Sequence, residues 1–457
     1  MKKICIINVV GLTPRLLVDA PAIRSLAGNP SIDALHGASA SGTSDGGRDG
    51  ATAGQSSFMP WTSPLPAVTC TSQATMLTGL APRDHGIVGN GWYYRDTQEI
   101  RFWQQPRSLI QGRAFYDDYE TAKMFWWFNQ SSTARYSCTP KPHYGCDGNK
   151  VFDVLDHTEC NLTKRLGPFP FFTFWGPGAG LPCSNWIADA TATVMREKSP
   201  QITLAYLPHL DYDFQRFPEH DAARVAEVDQ CVQRIVAAAD DIGAHTVIVS
   251  EYGLVPVQRP VHINRVLRQS GLLSVRQGPF GEVLMPGESK AFAVSDHQLA
   301  HVYVNDPTLI AAVRRELESV AGIGGVYEPG DLELDHPRSG ELIALAEPDA
   351  WFTYYYWNDD TLAPDFARTV DIHRKPGYDP CELFMTSKVR MAARLLQKKL
   401  GMRYKMDVIP LDATLVRGSH GLHPDPIDGP LIIGPTDKVP LPSDMRDFPG
   451  YVRALIG

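Results

Sequence analysis

Thr69 opens a short helical run, Thr69-Cys70-Thr71-Ser72-Gln73-Ala74-Thr75-Met76-Leu77-Thr78, and Asn90 follows in the glycine-punctuated turn Gly86-Ile87-Val88-Gly89-Asn90. The first N–H groups of a helix have no partner inside it, and the aligned peptide dipoles place partial positive charge there. A hydroxyl at that point lies where an anion such as phosphate binds. The segment reads as a nucleophile with its oxyanion support, Thr69 attacking and the Asn90 amide donating. The bland alternative for Asn90 is a turn cap. Asp211 and Glu251 each come directly after an apolar stretch, and His420 comes late, in Gly418-Ser419-His420-Gly421.

Positioning such groups falls to strands and helices that alternate along the chain. Residues 3–10 are almost continuously apolar, as a central parallel strand requires. A helix is expected at 18–27. Further on come a strand at 202–207, an amphipathic helix at 221–239 and a strand at 245–250. This alternation implies an α/β fold, a mostly parallel central sheet with helices on both faces. Asp211 and Glu251 then lie just past strand ends, where ligands bind in open α/β sheets. From 271 to 410 the pattern changes to short strands near 291–294 and 299–304, a helix at 306–319 and the aromatic run 351–357. That segment reads as an inserted α+β cap between a first core part, 1–270, and a closing part, 411–457. A helix near 381–400 and a strand at 431–433 complete the reading. Residues 36–58, rich in Gly, Ser, Ala, Asp and Thr, form a low-complexity loop, either a tolerated insertion or a substrate-gating lid.

The phrase T-x-T-S-x-x-T-M-L-T-G, followed by P-x-x-H-G-I-x-x-N, resembles the nucleophile region of the alkaline phosphatase superfamily. It is closest to the nucleotide pyrophosphatase/phosphodiesterase branch and its phosphonoacetate hydrolase relatives. Tyr206-Leu207-Pro208-His209-Leu210-Asp211, Ser250-Glu251-Tyr252-Gly253 and Gly418-Ser419-His420-Gly421 match further motifs in the family's order. The resemblance implies hydrolysis of phosphorus esters by a Thr nucleophile assisted by two divalent metals, typically zinc. Carried onto this chain, one ion falls to Asp211, Gln215 and His420. The other falls to Val10, Thr69, Glu251 and Tyr252. Val10 has no donor atom, Gln215 offers an amide oxygen, and Tyr252 ligates only as a phenolate, so the implied metal site is reduced or remodelled: Asp211, Glu251 and His420 hold one or two ions.

Asn8, Asp213, His209 and His423 flank these positions as substitute ligands or as structural residues. Asp296-His297 mimics the family's S-D-H-G phrase but lies in the cap and reads as strand chemistry, while His262 reads as a helix anchor. Three functions remain open. One is a phosphodiester or pyrophosphate hydrolase with Thr69 as nucleophile. Another is an altered family member that binds a small molecule or acts in a biosynthetic pathway without two-metal hydrolysis. The third is different chemistry in the same pocket, with Tyr252 and Glu251 as acid and base and Cys70 nearby.

Size and composition are consistent with this. The 457 residues allow one large domain with an insertion, and 43% hydrophobic with 21% charged residues is ordinary for a globular chain. A net charge of −8 argues against nucleic acid or an anionic membrane as the main partner and leaves a small anionic substrate. No apolar run approaches the roughly 20 residues of a membrane span, and the N-terminal apolar stretch reads as a strand rather than a signal peptide. Eight cysteines without a C-x-x-C pair read as reduced thiols of a cytoplasmic protein.

Overall fold

The computed structural model describes residues 2–31, 56–146, 150–156, 159, 161–217 and 221–457. Its main sheet is built from β1 (Lys3–Val9), β2 (Ser56–Pro60), β3 (Thr121–Met124), β4 (Tyr136–Pro140), β5 (Val154–Asp156), β6 (Ile202–Leu207), β7 (Ala244–Val249) and one late strand, Leu431–Pro435. Going across the sheet the order is β2, the late strand, β7, β1, β6, β3, β4, β5. The central strands β7, β1, β6, β3 and β4 run parallel, and the flanking pairs are antiparallel. This is the doubly covered α/β architecture expected from the sequence. Apart from Lys3 and Asn8, β1 is apolar, as a strand buried on both faces requires. The helix Ala222–Asp241 buries Val225, Val228, Val232, Ile235 and Ala239, the 3.6-residue stripe that seats it on the sheet, and Asp221 caps it through Ala223 N–H.

Local chemistry moves some boundaries. The helix expected at 18–27 is split into a 3-10 turn, Pro14–Asp19, and the helix Pro21–Leu26. Pro21 has no N–H to continue an existing helix but is well suited to start one. The helix expected near 381–400 likewise becomes a turn, Pro380–Leu383, and a helix, Lys388–Lys399, begun by the Ser387 hydroxyl. Of the low-complexity segment, residues 36–55 lie outside the described residues and 56–58 belong to β2.

A second sheet is antiparallel, with four strands: β8 (Ala291–Asp296), β9 (Leu299–Val304), β10 (Ile323–Tyr327) and β11 (Leu342–Ala346), in the order β8-β9-β11-β10. A separate apolar cluster fills it and takes in Val257 to Leu267 as well as Val416. Trp351, Phe352 and Tyr354 to Trp357 are fully buried there, so the aromatic run packs this second core. Among the described residues no helix is long and apolar enough to cross a membrane, and every cysteine is free.

Candidate functional site

Parallel pairing sets the site. Asn8 of β1 lies level with Tyr206 of β6 and Val249 of β7, so the three strands end together. Just beyond them β6 turns into the helix His209–Arg216, carrying Asp211 and Gln215, while β7 runs into Ser250-Glu251-Tyr252-Gly253. Gly253 is required there, because a Cβ would stand 1.7 Å from the Asp428 carbonyl oxygen. Thr69 is the first residue of the helix Thr69–Thr78, which ends at Gly79 in the left-handed conformation that glycine tolerates. His420 is delivered by a loop whose backbone is tied to Ala67 on one side and to Gln298 on the other.

Thr69, Asp211, Glu251 and His420 meet at one buried spot. The Tyr252 hydroxyl is 3.1 Å from Thr69 Oγ1 and 3.4 Å from Asp211 Oδ1, and so links the two. The His420 ring stacks on Tyr252 at 3.6 Å. Its Nδ1 lies 2.7 Å from the Ala67 carbonyl, an acceptor, so Nδ1 carries the hydrogen and Nε2 presents a lone pair. Among the described residues Nε2 is buried without a hydrogen-bond partner, 3.5 Å from Asp211 Oδ1. That separation passes for an ion pair. Burial, however, pushes the His420 pKa down to about 3, so the imidazole is neutral.

The carboxyl groups are perturbed upward. Burial raises Asp211 to about 7 against the opposing bonds from Gln215 and Tyr252. Burial likewise raises Glu251 to about 8, although Glu251 Oε1 accepts from Gln73 Nε2 at 2.6 Å and Asn8 Nδ2 at 2.5 Å. Among the described residues Glu251 Oε2 has no hydrogen-bond partner, although the nearby Thr69 hydroxyl favours the ionised form. The Tyr252 phenol is pushed well above its ordinary value by burial and by the Asp211 and Glu251 carboxylates.

Asn90 is adjacent, with its Oδ1 accepting the Cys70 N–H at 3.0 Å. Its backbone N–H and Nδ2 both donate to Asp296, at 2.7 and 3.1 Å. The donor expected to face a phosphoryl oxygen therefore faces a side-chain carboxylate. Asp296 and His297, read from sequence as strand chemistry of the cap, reach this site. His297 stacks on Tyr378 at 3.7 Å and packs against His420 at 3.6 Å. His297 sits at φ +60 in the two-residue turn between β8 and β9, a conformation uncommon for a non-glycine residue. The S-D-H echo was the only signal for this pair, and its location in the second sheet argued against it.

The flanking candidates are engaged elsewhere: Asp213 pairs with Arg216 and Arg224, His209 meets Ser184, His423 meets Ser63, and His262 bonds Thr353. Cys70 is buried, and its thiol is pushed well up by desolvation, the opposite of an activated thiolate.

The donor set does not suit a two-ion centre. Val10 is apolar, Gln215 Nε2 donates to Asp211 while its Oε1 accepts from the Tyr378 hydroxyl, and two amides donate to Glu251. Among the described residues no three His, Cys, Asp or Glu side chains converge as a metal site. Asp211 Oδ1 and the unpartnered His420 Nε2 do suit a single cation as two of its ligands.

A mostly parallel sheet flanked by helices, with Thr69 at a helix start beside the carboxyl edge of its strands, is the alkaline phosphatase-like fold. Residues 4–379 match the family model "Type I phosphodiesterase / nucleotide pyrophosphatase", and the chain belongs to that family. Among solved structures it is similar to phosphonoacetate hydrolase from Sinorhizobium meliloti 1021 in complex with phosphonoacetate. There the TM-score is 0.57 and identity 15%, over 99% of this chain and 95% of that one. It is also similar to an inactive threonine-to-alanine variant of murine ectonucleotide pyrophosphatase/phosphodiesterase 5 in complex with AMP. That likeness has a TM-score of 0.55 and 10% identity, over 100% of this chain and 95% of the other. No curated protein matches the sequence. Members of the family generally work with divalent metals such as zinc.

Proposed function

We propose that this chain hydrolyses a small anionic phosphorus ester, a phosphodiester or pyrophosphate, with Thr69 as the attacking group and Tyr252 and Asp211 as its proton path. The observation that carries the reading is the Tyr252 hydroxyl, set between Thr69 Oγ1 and Asp211 Oδ1. Thr69 Oγ1 attacks phosphorus, its proton passes to the Tyr252 oxygen, and the Tyr252 proton passes to Asp211. The bond to the leaving oxygen breaks, and Asp211 returns the proton to it. Water then splits the phosphothreonine by the same route. Asp211, with a pKa of about 7, is matched to base work near neutral pH. Glu251 keeps its proton to about 8 and offers an Oε2–H to a phosphoryl oxygen. With a divalent ion held by Asp211 and His420, Asp211 would stay ionised as a ligand, and the ion would supply the positive charge that favours ionised Thr69 in place of this proton path. Asn90 joins as a donor once Asp296 releases its amide.

Turnover of an aryl phosphodiester tests this. Thr69→Ala is expected to lose on the order of 10³-fold or more, while Thr69→Ser keeps most of the activity. Unchanged turnover in Thr69→Ala refutes the assignment.

One observation favours a second reading, a family member that binds such a compound without hydrolysing it. Among the described residues, Asp211, Glu251 and Asp296 have no Lys or Arg as hydrogen-bond or ion-pair partner to balance a transferring phosphoryl group, and Asp296 occupies the Asn90 donors. Saturable binding of AMP or phosphonoacetate with no turnover at any metal supply would select it.

A further inference from the structure

The helix Lys388–Lys399 has no buried residue. Val389 is 79% exposed, Leu396 56%, Leu400 64% and Met402 53%. Val389, Ala393, Leu396 and Leu400 recur at the spacing of one helical face, so the exposed apolar atoms form a continuous stripe rather than isolated contacts. Hydrophobic side chains at helical spacing normally point into a core. Here the inner face is held differently: Met391 packs on the second core, and Arg390 and Arg394 pair with Asp407.

The stripe is bordered by cations. Between 388 and 405 stand Lys388, Arg390, Arg394, Lys398, Lys399, Arg403 and Lys405, with no acidic residue among them. Among the described residues none of Lys388, Lys399, Arg403 and Lys405 is ion-paired. A concentration of positive charge this dense is out of keeping with a chain of net charge −8. The combination selects the partner. An apolar stripe alone would fit another protein, and cations alone would fit any polyanion. Leucines flanked by lysines on a helix lying along the surface suit an anionic lipid surface, where the stripe enters the acyl boundary and the lysines meet headgroup phosphates. Twelve residues span about 18 Å, long enough to lie flat in that interface.

We propose that Lys388–Lys399, with the segment to Lys405, docks this protein on an anionic membrane surface. The proposal is independent of the reaction assigned to Thr69. Cosedimentation of the full chain with phosphatidylcholine vesicles, with and without phosphatidylglycerol, tests it. The expected result is partition onto the phosphatidylglycerol vesicles only, weakened by salt. Leu396→Glu combined with Leu400→Glu should lower the partition coefficient about tenfold or more. Lys388→Glu with Lys399→Glu should abolish the preference for anionic lipid. Phe172→Glu, at an exposed aromatic outside this segment, should leave binding intact. All these positions are exposed, so circular dichroism and melting should match the parent. Absence of binding to anionic vesicles overturns the proposal, as does binding that survives both double substitutions. A dimer that dissociates on Leu396→Glu with Leu400→Glu, without vesicle binding, also overturns it and assigns the face to a second copy of the chain.

Discussion

Glu251→Gln isolates the charge state of the candidate site. Glutamine matches the shape of glutamate, and its Oε1 still accepts from Asn8 and Gln73, while its amide nitrogen replaces an oxygen that already lacks a partner. The substitution therefore removes an ionisable group and little else. A glutamate ordinarily ionises near 4.5, whereas buried Glu251 holds its proton to about 8. Between those values the folded chain binds more protons than the unfolded one. The stability this contributes is fully present below about pH 4.5 and is lost as pH rises through about 8. At 1.36 kcal/mol per pKa unit, the loss at pH 9 amounts to about 5 kcal/mol. Melting in the presence of a chelator should therefore show parent and variant nearly equal at pH 5. By pH 9 the variant should melt roughly 10 °C higher, at about 2 °C per kcal/mol for a chain of this size. A gap that does not depend on pH, or a variant less stable than the parent at pH 9, refutes the reasoning. Either result would mean that Glu251 does not hold its proton above the ordinary glutamate range in the folded chain, and would remove it as a donor to the phosphoryl oxygen.

Tyr252→Phe keeps the stack on His420 but cuts the proton path, so kcat/KM for an aryl phosphodiester should fall about 10²- to 10⁴-fold. With chelator present, the parent's kcat/KM should rise as pH passes through about 7, where Asp211 ionises, and fall above about 8, where Glu251 loses its proton; a pH-rate profile with no inflection near 7 refutes Asp211 as the base. Lys375 is buried between Asp379 and Glu382, at 2.7 and 2.6 Å, in the segment that brings Tyr378 to Gln215. Lys375→Met leaves two buried carboxylates unpaired and should cost about 3–5 kcal/mol in chemical denaturation, an expectation that a change below 1 kcal/mol would contradict.

Much of the architecture was legible because it follows from local patterns. The apolar runs at 3–10 and 202–207 correspond to Lys3–Val9 and Ile202–Leu207, and the stripe at 221–239 corresponds to Ala222–Asp241. Continuous burial on two faces and a 3.6-residue repeat leave direct marks on residue order. Motif spacing likewise singled out Thr69, Asp211, Glu251 and His420, which the fold brings together. Two properties were obscured by averaging or by distance. The net charge of −8 concealed the basic, leucine-bearing helix at 388–399, because a sum over the chain cannot show where charges cluster. The part played by Asp296 and His297 depends on a turn of the second sheet reaching over the first, across 206 residues of chain between Asn90 and Asp296.

By itself, then, the order of residues determined the α/β layering, the family and which polar groups stand at strand and helix ends, since each is a matter of near neighbours along the chain. Only the tertiary structure decided what those groups do to one another. It set the Tyr252 hydroxyl between Thr69 and Asp211, aimed the Tyr378 hydroxyl at the Gln215 amide oxygen, and put the Asp296 carboxylate on Asn90. Hydrogen bonds and proton affinities depend on distances of a few ångströms and on exclusion of water, and both arise only when segments hundreds of residues apart are packed together.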